Sequence, residues 1–149
     1  MICDLIWNEY ELVYQTYESF NGFALTIKGW SVTVGLAAIF AVYFEKLGAS
    51  GKAVLWGAAL SSLPFWILDA IWKSHQKAFL PRLEVLERST YSGKDCKDGA
   101  LSHSFDIVGS WDKSHDWFGW IATLPITAFP HVFVILLGVY LVIKHPPKA

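Results

Sequence analysis

Long uncharged apolar runs alternate along this chain with shorter polar segments. Two runs of 16 residues, Gly29–Phe44 and Ala53–Leu68, precede a run of 27 residues without a formal charge, Trp117–Ile143. A membrane hydrocarbon core takes about 20 mostly apolar residues as a helix, or roughly 17 when flanking side chains reach the interface. The pattern therefore predicts an all-α membrane protein with three transmembrane helices, at roughly 24–44, 53–73 and 118–143.

The segment before the first span has the pattern of an amphipathic helix. Between residues 4 and 20, apolar residues recur at alternating spacings of four and three, which places them on one helical face: Ile6, Tyr10, Val13, Tyr17 and Phe20. Asn21 and Gly22 then favour a break before the span. Two interpretations remain open for this arm, a helix lying on the bilayer surface and an oligomerisation or partner-binding helix.

A polar segment, 74–116, separates the second and third spans. The helix of the second span is predicted to continue to Leu80, where Pro81 ends or bends it. A short helix is then expected where Glu84 and Arg88 stand in the favourable i,i+4 order. Residues 89–116 are rich in Ser, Gly, Lys and Asp and are predicted to form a loop. The whole chain, 1–149, is interpreted as a single integral membrane domain.

The distribution of basic residues near the span ends predicts an orientation. With three spans, the arm and the 74–116 segment lie on one side, which carries seven lysines and arginines between Lys73 and Lys113. The opposite side carries Lys46, Lys52, Lys144 and Lys148. By the positive-inside rule the N-terminus and the long loop are predicted to be cytoplasmic, in a multi-pass membrane protein.

Composition agrees with a membrane location. Hydrophobic residues make up 54% of the chain and charged residues 17%, below the roughly 25% usual for soluble domains. A soluble helical bundle is the disfavoured alternative, since a chain of this size cannot easily hide three apolar helices. The net charge of −1 offers no general attraction to nucleic acid, so no direct nucleic-acid binding is expected.

No motif in the sequence indicates catalysis. The histidines and acids of the long loop lack the close, repeated spacing of a metal site, and no phosphate-binding loop or nucleophile arrangement is supported by its context. We therefore expect a protein that is not an enzyme, with no cofactor and no metal. A small membrane enzyme or redox protein that uses His131 remains the alternative.

Polar residues within the spans are the candidate functional residues. Asp69 lies in the second span with Lys73 one turn away and Gln76 beyond, so the three either anchor the helix or line a cytoplasmic pore mouth. The third span contains two prolines, and its polar residues lie on one helical stripe. This stripe belongs either to a kinked packing helix or to a water-lined gating helix. These candidates for pore lining or gating are Asp69, Lys73, Gln76, Thr123, Thr127 and His131.

Small residues at steps of four predict where helices pack closely. One ladder lies in the first span and another in the second: Gly29, Thr33, Ala37 and Ala41, then Ala53, Gly57 and Ser61. The favoured interpretation is that the ladders join these two spans within one subunit. Contacts between subunits are the alternative.

The residues Phe65–Lys77, in which an apolar span ends in Asp and continues as a Lys- and Gln-rich helix, resemble a group of small bacterial membrane proteins. Residues Ile27–Ser31 are similar to the start of the first span in the same group. Over roughly residues 20–90, the chain resembles multi-span effectors of bacterial antiphage defence, of the SLATT, Kiwa or Hailong kind. SLATT-type effectors are built around two spans, so the third span departs from that pattern. The resemblance implies an oligomeric protein that perturbs the inner membrane when a partner senses infection, and it assigns no role to individual residues.

The sequence thus favours a homo-oligomeric inner-membrane channel or pore-forming effector, gated by a cytoplasmic signal. Its expected partners are the lipid bilayer, further copies of itself and a cytoplasmic regulatory protein. The alternative is a non-conducting structural or accessory subunit of a larger membrane complex.

Overall fold

A computed structural model describes residues 2–44, 51–91, 107–113 and 117–147. In this part of the chain the secondary structure consists of helices. Seven are described: α1 Ile2–Phe44, α2 Gly51–Leu60, α3 Ser62–Lys77, α4 Leu80–Tyr91, α5 Ile107–Lys113, α6 Phe118–Ala122 and α7 Pro125–Lys144.

The arm and the first span form one continuous helix, α1, of 43 residues. The break predicted at Asn21 and Gly22 is wrong, because tertiary packing on both sides of Gly22 overrides its weak helix propensity. The predicted apolar face of the arm is confirmed: Ile6 and Val13 are buried, and Tyr10 and Tyr17 are half-buried. At about 1.5 Å per residue, α1 is about 65 Å long, roughly twice the thickness of a hydrocarbon core.

The second predicted span consists of two helices, α2 and α3, that meet at Ser61. Pro64 explains the irregularity, because it has no amide hydrogen to donate to the carbonyl of Leu60 one turn earlier. The backbone amide of Ser61 still donates to the Gly57 carbonyl at 2.9 Å, so helical hydrogen bonding continues at the junction of the two helices. Helix α3 ends at Lys77, three residues before the predicted end, and Pro81 lies in the first turn of α4.

Helix α4 folds back along the arm of α1. Buried apolar side chains of the two helices form a small core, Ile6 and Val13 from α1 with Leu83 and Leu86 from α4. The short helix predicted around Glu84 and Arg88 is confirmed as α4, and these two residues form an exposed i,i+4 ion pair. Residues 107–113 lie within the predicted loop but form helix α5, which packs against α4. Residues 92–106 and 114–116, the rest of the predicted loop, lie outside the described residues.

The third predicted span also consists of two helices. Leu124 adopts an extended backbone conformation (ψ 135°), as residues before a proline tend to, and this separates the five-residue α6 from α7. Helix α6 packs on α3, where the indole nitrogen of Trp66 donates to the Ala122 carbonyl at 3.0 Å. Helix α7 contains Pro130 and runs for 20 residues beside α1, α2 and α3.

Two glycines allow the closest approaches between helices in the bundle. A Cβ added at Gly138 of α7 would lie 2.5 Å from the Cβ of Ala59 in α2, and one added at Gly35 of α1 would lie 2.4 Å from Val134 Cγ1 in α7. Small residues therefore do permit close packing here, as expected in membrane helices. They pack α7 against α1 and α2.

The predicted small-residue ladders do not form these contacts. In the first ladder, Gly29, Thr33 and Ala37 are exposed and Ala41 is half-buried. In the second, Ala53 and Gly57 are exposed and Ser61 is half-buried. The prediction that the ladders join the first two spans within one subunit is therefore wrong for the exposed members. Their alternative role, in contacts between subunits, stays a prediction.

Three helical stretches among the described residues are long and apolar enough to cross a membrane: Asp4–Phe44, Gly51–Arg88 and Pro125–Lys144. Much of the exposed surface of these stretches is apolar, and on α7 the exposed side chains include Phe129, Phe133, Leu136, Tyr140 and Ile143. Several polar side chains within the apolar runs are buried: Ser31, Ser62, Asp69, Thr127 and His131. This arrangement, apolar outside and polar inside, is suited to lipid as the surrounding solvent.

Candidate functional site

An ion pair lies between the first and second spans. The Lys28 ammonium of α1 is 3.0 Å from Asp69 Oδ1 and 2.7 Å from Asp69 Oδ2 on α3. Asp69 is fully buried, whereas Lys28 keeps 18% of its side chain exposed. The sequence places Lys73 one turn from Asp69 on the same helix, but the direct contact of Asp69 is with a lysine of a different helix.

The third span contributes a histidine to the same carboxylate. His131 Nε2 of α7 lies 3.4 Å from Asp69 Oδ2, and His131 Nδ1 forms a 2.7 Å hydrogen bond with the Ser31 hydroxyl of α1. His131, Asp69 and Ser31 are each fully buried. A chain of polar contacts thus runs from Lys28 through Asp69 and His131 to Ser31. We call these four residues the polar cluster.

The polar cluster connects all three candidate spans. Placing charged groups at membrane depth is costly, and removing one member of a buried pair leaves the other uncompensated. Each span therefore depends on the other two to satisfy its own polar side chain. Helix-helix packing could be achieved with apolar residues at lower cost, so the cluster is the candidate functional site of the described residues.

Two buried hydroxyl groups accompany the polar cluster. The Thr127 hydroxyl lies one turn before His131 on α7, and the Ser62 hydroxyl lies near the backbone of Gly35. Neither hydroxyl has a hydrogen-bond partner among the described residues. The interior of the bundle therefore carries more polar capacity than its own contacts use.

The other predicted site residues take different positions. Gln76 is buried and donates to the backbone carbonyl of Tyr17 at 3.0 Å, which connects α3 to the arm of α1. Lys73 is half-buried and donates to the Gln76 side chain at 2.5 Å. Thr123 is exposed and donates to the Trp120 carbonyl at 2.7 Å. The structure thus brings Asp69 and His131 together, buries Thr127 one turn from His131, and leaves Thr123 at the surface.

A groove opens beside the polar cluster, between α1, α3 and the start of α7. It has a volume of about 530 Å³. Its polar lining is Asn21, Lys28 and Lys73, and the remaining lining is apolar, from α1 and α7. Lys28 is therefore shared between the groove and the buried carboxylate.

A second buried ion pair fixes the arm. Arg82 of α4 donates to Glu9 of α1, with Arg82 Nε 2.7 Å from Glu9 Oε1, and both side chains are about 95% buried or more. The pair stands beside the small apolar core of the arm. It joins α1 to α4 outside the region that the polar cluster holds.

No metal site is found in the part of the chain that the structure describes, where no group of three or more His, Cys, Asp or Glu side chains could hold an ion. Most of the loop acids and histidines considered from the sequence lie outside the described residues.

No family model, curated protein or solved structure matches this chain. The resemblance to antiphage membrane effectors therefore stays a prediction.

Sequence reasoning missed two members of the polar cluster, Lys28 and Ser31. Both residues lie near the start of the predicted first span, and neither is among the predicted candidates. They stand three residues apart on the face of α1 that also carries the buried Ile27 and Gly35. A search for polar residues in register with the buried face of each span would have found them.

Proposed function

We propose that this chain is a homo-oligomeric channel or pore-forming protein of the bacterial inner membrane, and that the polar cluster holds it closed. The observation that carries the proposal is the buried contact of Lys28, Asp69 and His131 from three different spans. Ionisable residues inside spans usually face an ion or water pathway. In this conformation they face one another, which corresponds to a closed state.

Opening requires α7 to separate from α1 and α3. The extended backbone at Leu124 is a place where α7 can change direction relative to α6. Pro130 is a second place, where α7 itself can bend. Separation would expose His131, Asp69 and Thr127 to a new water-filled space. These residues would then line the conduit, with Lys73 and Gln76 at its mouth.

A three-span subunit encloses no large pore in its interior, so the conduit requires several copies. The exposed ladder of Gly29, Thr33 and Ala37 on α1 supplies a surface on which helices of neighbouring subunits can approach closely. The arm supplies the connection to a regulatory partner, since α1 is too long to lie wholly within a bilayer. By resemblance, that partner would signal infection in antiphage defence.

The test is conductance of the purified full chain in planar bilayers. Wild-type protein is expected to open rarely, and Asp69→Asn and His131→Phe to open often, because each variant weakens the contact between α7 and the other spans. Glu84→Gln removes a charge from an exposed ion pair far from the cluster and serves as the matched control. Silent bilayers with folded Asp69→Asn and His131→Phe would contradict the proposal.

An accessory subunit is the second candidate, and one observation favours it. The arm exposes several large apolar side chains, with Trp7 56% exposed and Leu5, Leu12 and Tyr14 about half exposed. Such a surface is typical of a protein-binding site. Purification from native membranes distinguishes the two functions: self-assembly without other subunits supports the channel, and a stoichiometric foreign subunit supports the accessory role.

A further inference from the structure

We propose that the groove between α1, α3 and α7 binds one anionic phospholipid, with the phosphate on Lys28 and Lys73 and an acyl chain along the apolar wall. The inference requires only that the three spans lie in a bilayer. It does not depend on whether the protein conducts ions.

The groove carries positive charge. Two ammonium groups line the groove, from Lys28 and Lys73, and no carboxylate lines it. An ammonium group has three donors. Asp69 oxygens accept from Lys28 at 3.0 and 2.7 Å, and Gln76 accepts from Lys73 at 2.5 Å, so donors remain on both groups among the contacts of the described residues. A phosphate has the acceptor oxygens and the negative charge that these donors would bind.

The two lysines of the groove lie close to one boundary of the hydrocarbon core. Helix α7 has 20 residues and is about 30 Å long, which equals the thickness of a hydrocarbon core. Pro125 at its start would therefore lie at one boundary of the core, and Pro125 lines the groove together with the two lysines. Counting 20 residues back from Phe44 along α1 reaches Leu25, which places Lys28 less than one turn inside the same boundary. Lipid phosphates lie just outside this boundary, within reach of lysine side chains that extend towards the interface.

The groove also has an apolar wall. Leu25, Ile126 and Phe129 line the groove, and Phe129 is 73% exposed. Leu25 lies at the boundary of the hydrocarbon core, and Ile126 and Phe129 follow α7 from that boundary into the span. A free phosphate would leave this wall unused, whereas a lipid would cover it with an acyl chain. Basic pockets between spans are suited to anionic headgroups for the same reasons.

The experiment is native mass spectrometry of the full chain in detergent micelles, titrated with dioleoylphosphatidylglycerol or dioleoylphosphatidylcholine. The two lipids carry the same acyl chains and differ in net charge. We expect one phosphatidylglycerol per chain to bind about tenfold more tightly than phosphatidylcholine, and an equal concentration of inorganic phosphate not to displace it. Equal binding of the two lipids, or displacement by inorganic phosphate, would overturn the proposal.

Variants locate the site. Lys73→Met keeps the stem of the side chain and removes its charge, so it should weaken phosphatidylglycerol about tenfold and leave phosphatidylcholine unchanged, whereas Lys73→Arg should retain binding. Lys144→Met removes an exposed lysine from the far end of α7 and is the matched control. Phe129→Ala alters the exposed wall without disturbing the interior and should weaken both lipids. Equal loss in Lys73→Met and Lys144→Met, or no loss in Phe129→Ala, would contradict the assignment.

Discussion

Two buried ion pairs connect α1 to other helices, and the two pairs differ in the residues that surround them. Glu9 and Arg82 join the arm to α4 beside a small apolar core. Lys28 and Asp69 join the first and second spans, and His131 extends their contact to the third. The arm pair holds two helices, whereas the polar cluster holds three and reaches a groove through Lys28.

The comparison shows how one kind of interaction serves two purposes. In the arm, a buried pair aligns two helices whose separation would expose only a short apolar face. In the spans, the same chemistry makes the position of α7 depend on a carboxylate of α3. A change that weakens the cluster is therefore expected to free α7, and a change that weakens the arm pair is expected to loosen only the arm.

The largest expected effect comes from Asp69→Ala. The variant leaves Lys28 and His131 without their shared carboxylate, and removing one partner of a buried pair typically costs about 3–5 kcal/mol. The free energy of unfolding, measured in micelles by helical circular dichroism during titration with a denaturing detergent, should fall by this amount. Glu84→Ala, which breaks only the exposed pair with Arg88, should cost about 0.3–0.5 kcal/mol. Similar values for the two variants would contradict the role given to the cluster.

The arm pair is expected to behave as a replaceable unit. Arg82→Met should destabilise the chain by about 3 kcal/mol because Glu9 stays buried, and Glu9→Leu combined with Arg82→Met should recover most of that loss. The corresponding pair Lys28→Met with Asp69→Leu should recover less, because His131 still loses its partner. Denaturation of Arg82→Met, of Lys28→Met and of the two double variants under the same conditions provides the comparison. Equal recovery in the two regions would show that His131 adds nothing.

A smaller effect is expected from glycine substitutions in the bundle. Gly138→Ala would place a methyl group 2.5 Å from Ala59 Cβ and 3.1 Å from its Cα, and should cost about 1–3 kcal/mol because the Ala59 backbone cannot easily move away. Gly57→Ala meets no atom within 4 Å and should be neutral or stabilise α2 by about 0.5–1 kcal/mol. Thermal unfolding of the two variants ranks them. The reverse order would mean that the second predicted ladder is the packed face after all.

The pattern of hydrophobic residues predicted the number and approximate position of the three candidate spans. It also predicted the buried face of the arm, where alternating spacings of three and four keep Ile6 and Val13 on one side of α1. The ladder beginning at Gly29 failed because each of its members stands two residues after a buried residue of α1, about 200° around the helix and therefore on the opposite face. The buried face of α1 mixes steps of three and four, from Ala24 and Ile27 through Ser31 and Gly35 to Ile39 and Val42.

The candidate site was predicted only in part. Asp69, Thr127 and His131 stand out in sequence because polar residues in apolar runs are rare. Their partners do not, because Lys28 is 41 residues from Asp69 and Ser31 is 100 residues from His131. Spacing within one helix reveals neighbours one turn apart, such as Lys73, but it gives no register between helices. That register depends on close contacts such as Gly35 with Val134, which no single span encodes.

The central claim is that contact of α7 with the other spans keeps the protein closed, and a disulfide between α1 and α7 tests it most directly. A Cβ at Gly35 would lie 3.6 Å from Val134 Cβ, within the range of about 3.5–4.5 Å that a disulfide requires. Cysteines placed at these two positions, in a chain with Cys3→Ser, Cys96→Ser and the opening substitution Asp69→Asn, should form a reducible lock. Bilayer conductance is expected to vanish when the disulfide has formed and to return on reduction. Undiminished conductance in protein whose disulfide is confirmed by mass spectrometry would contradict the account.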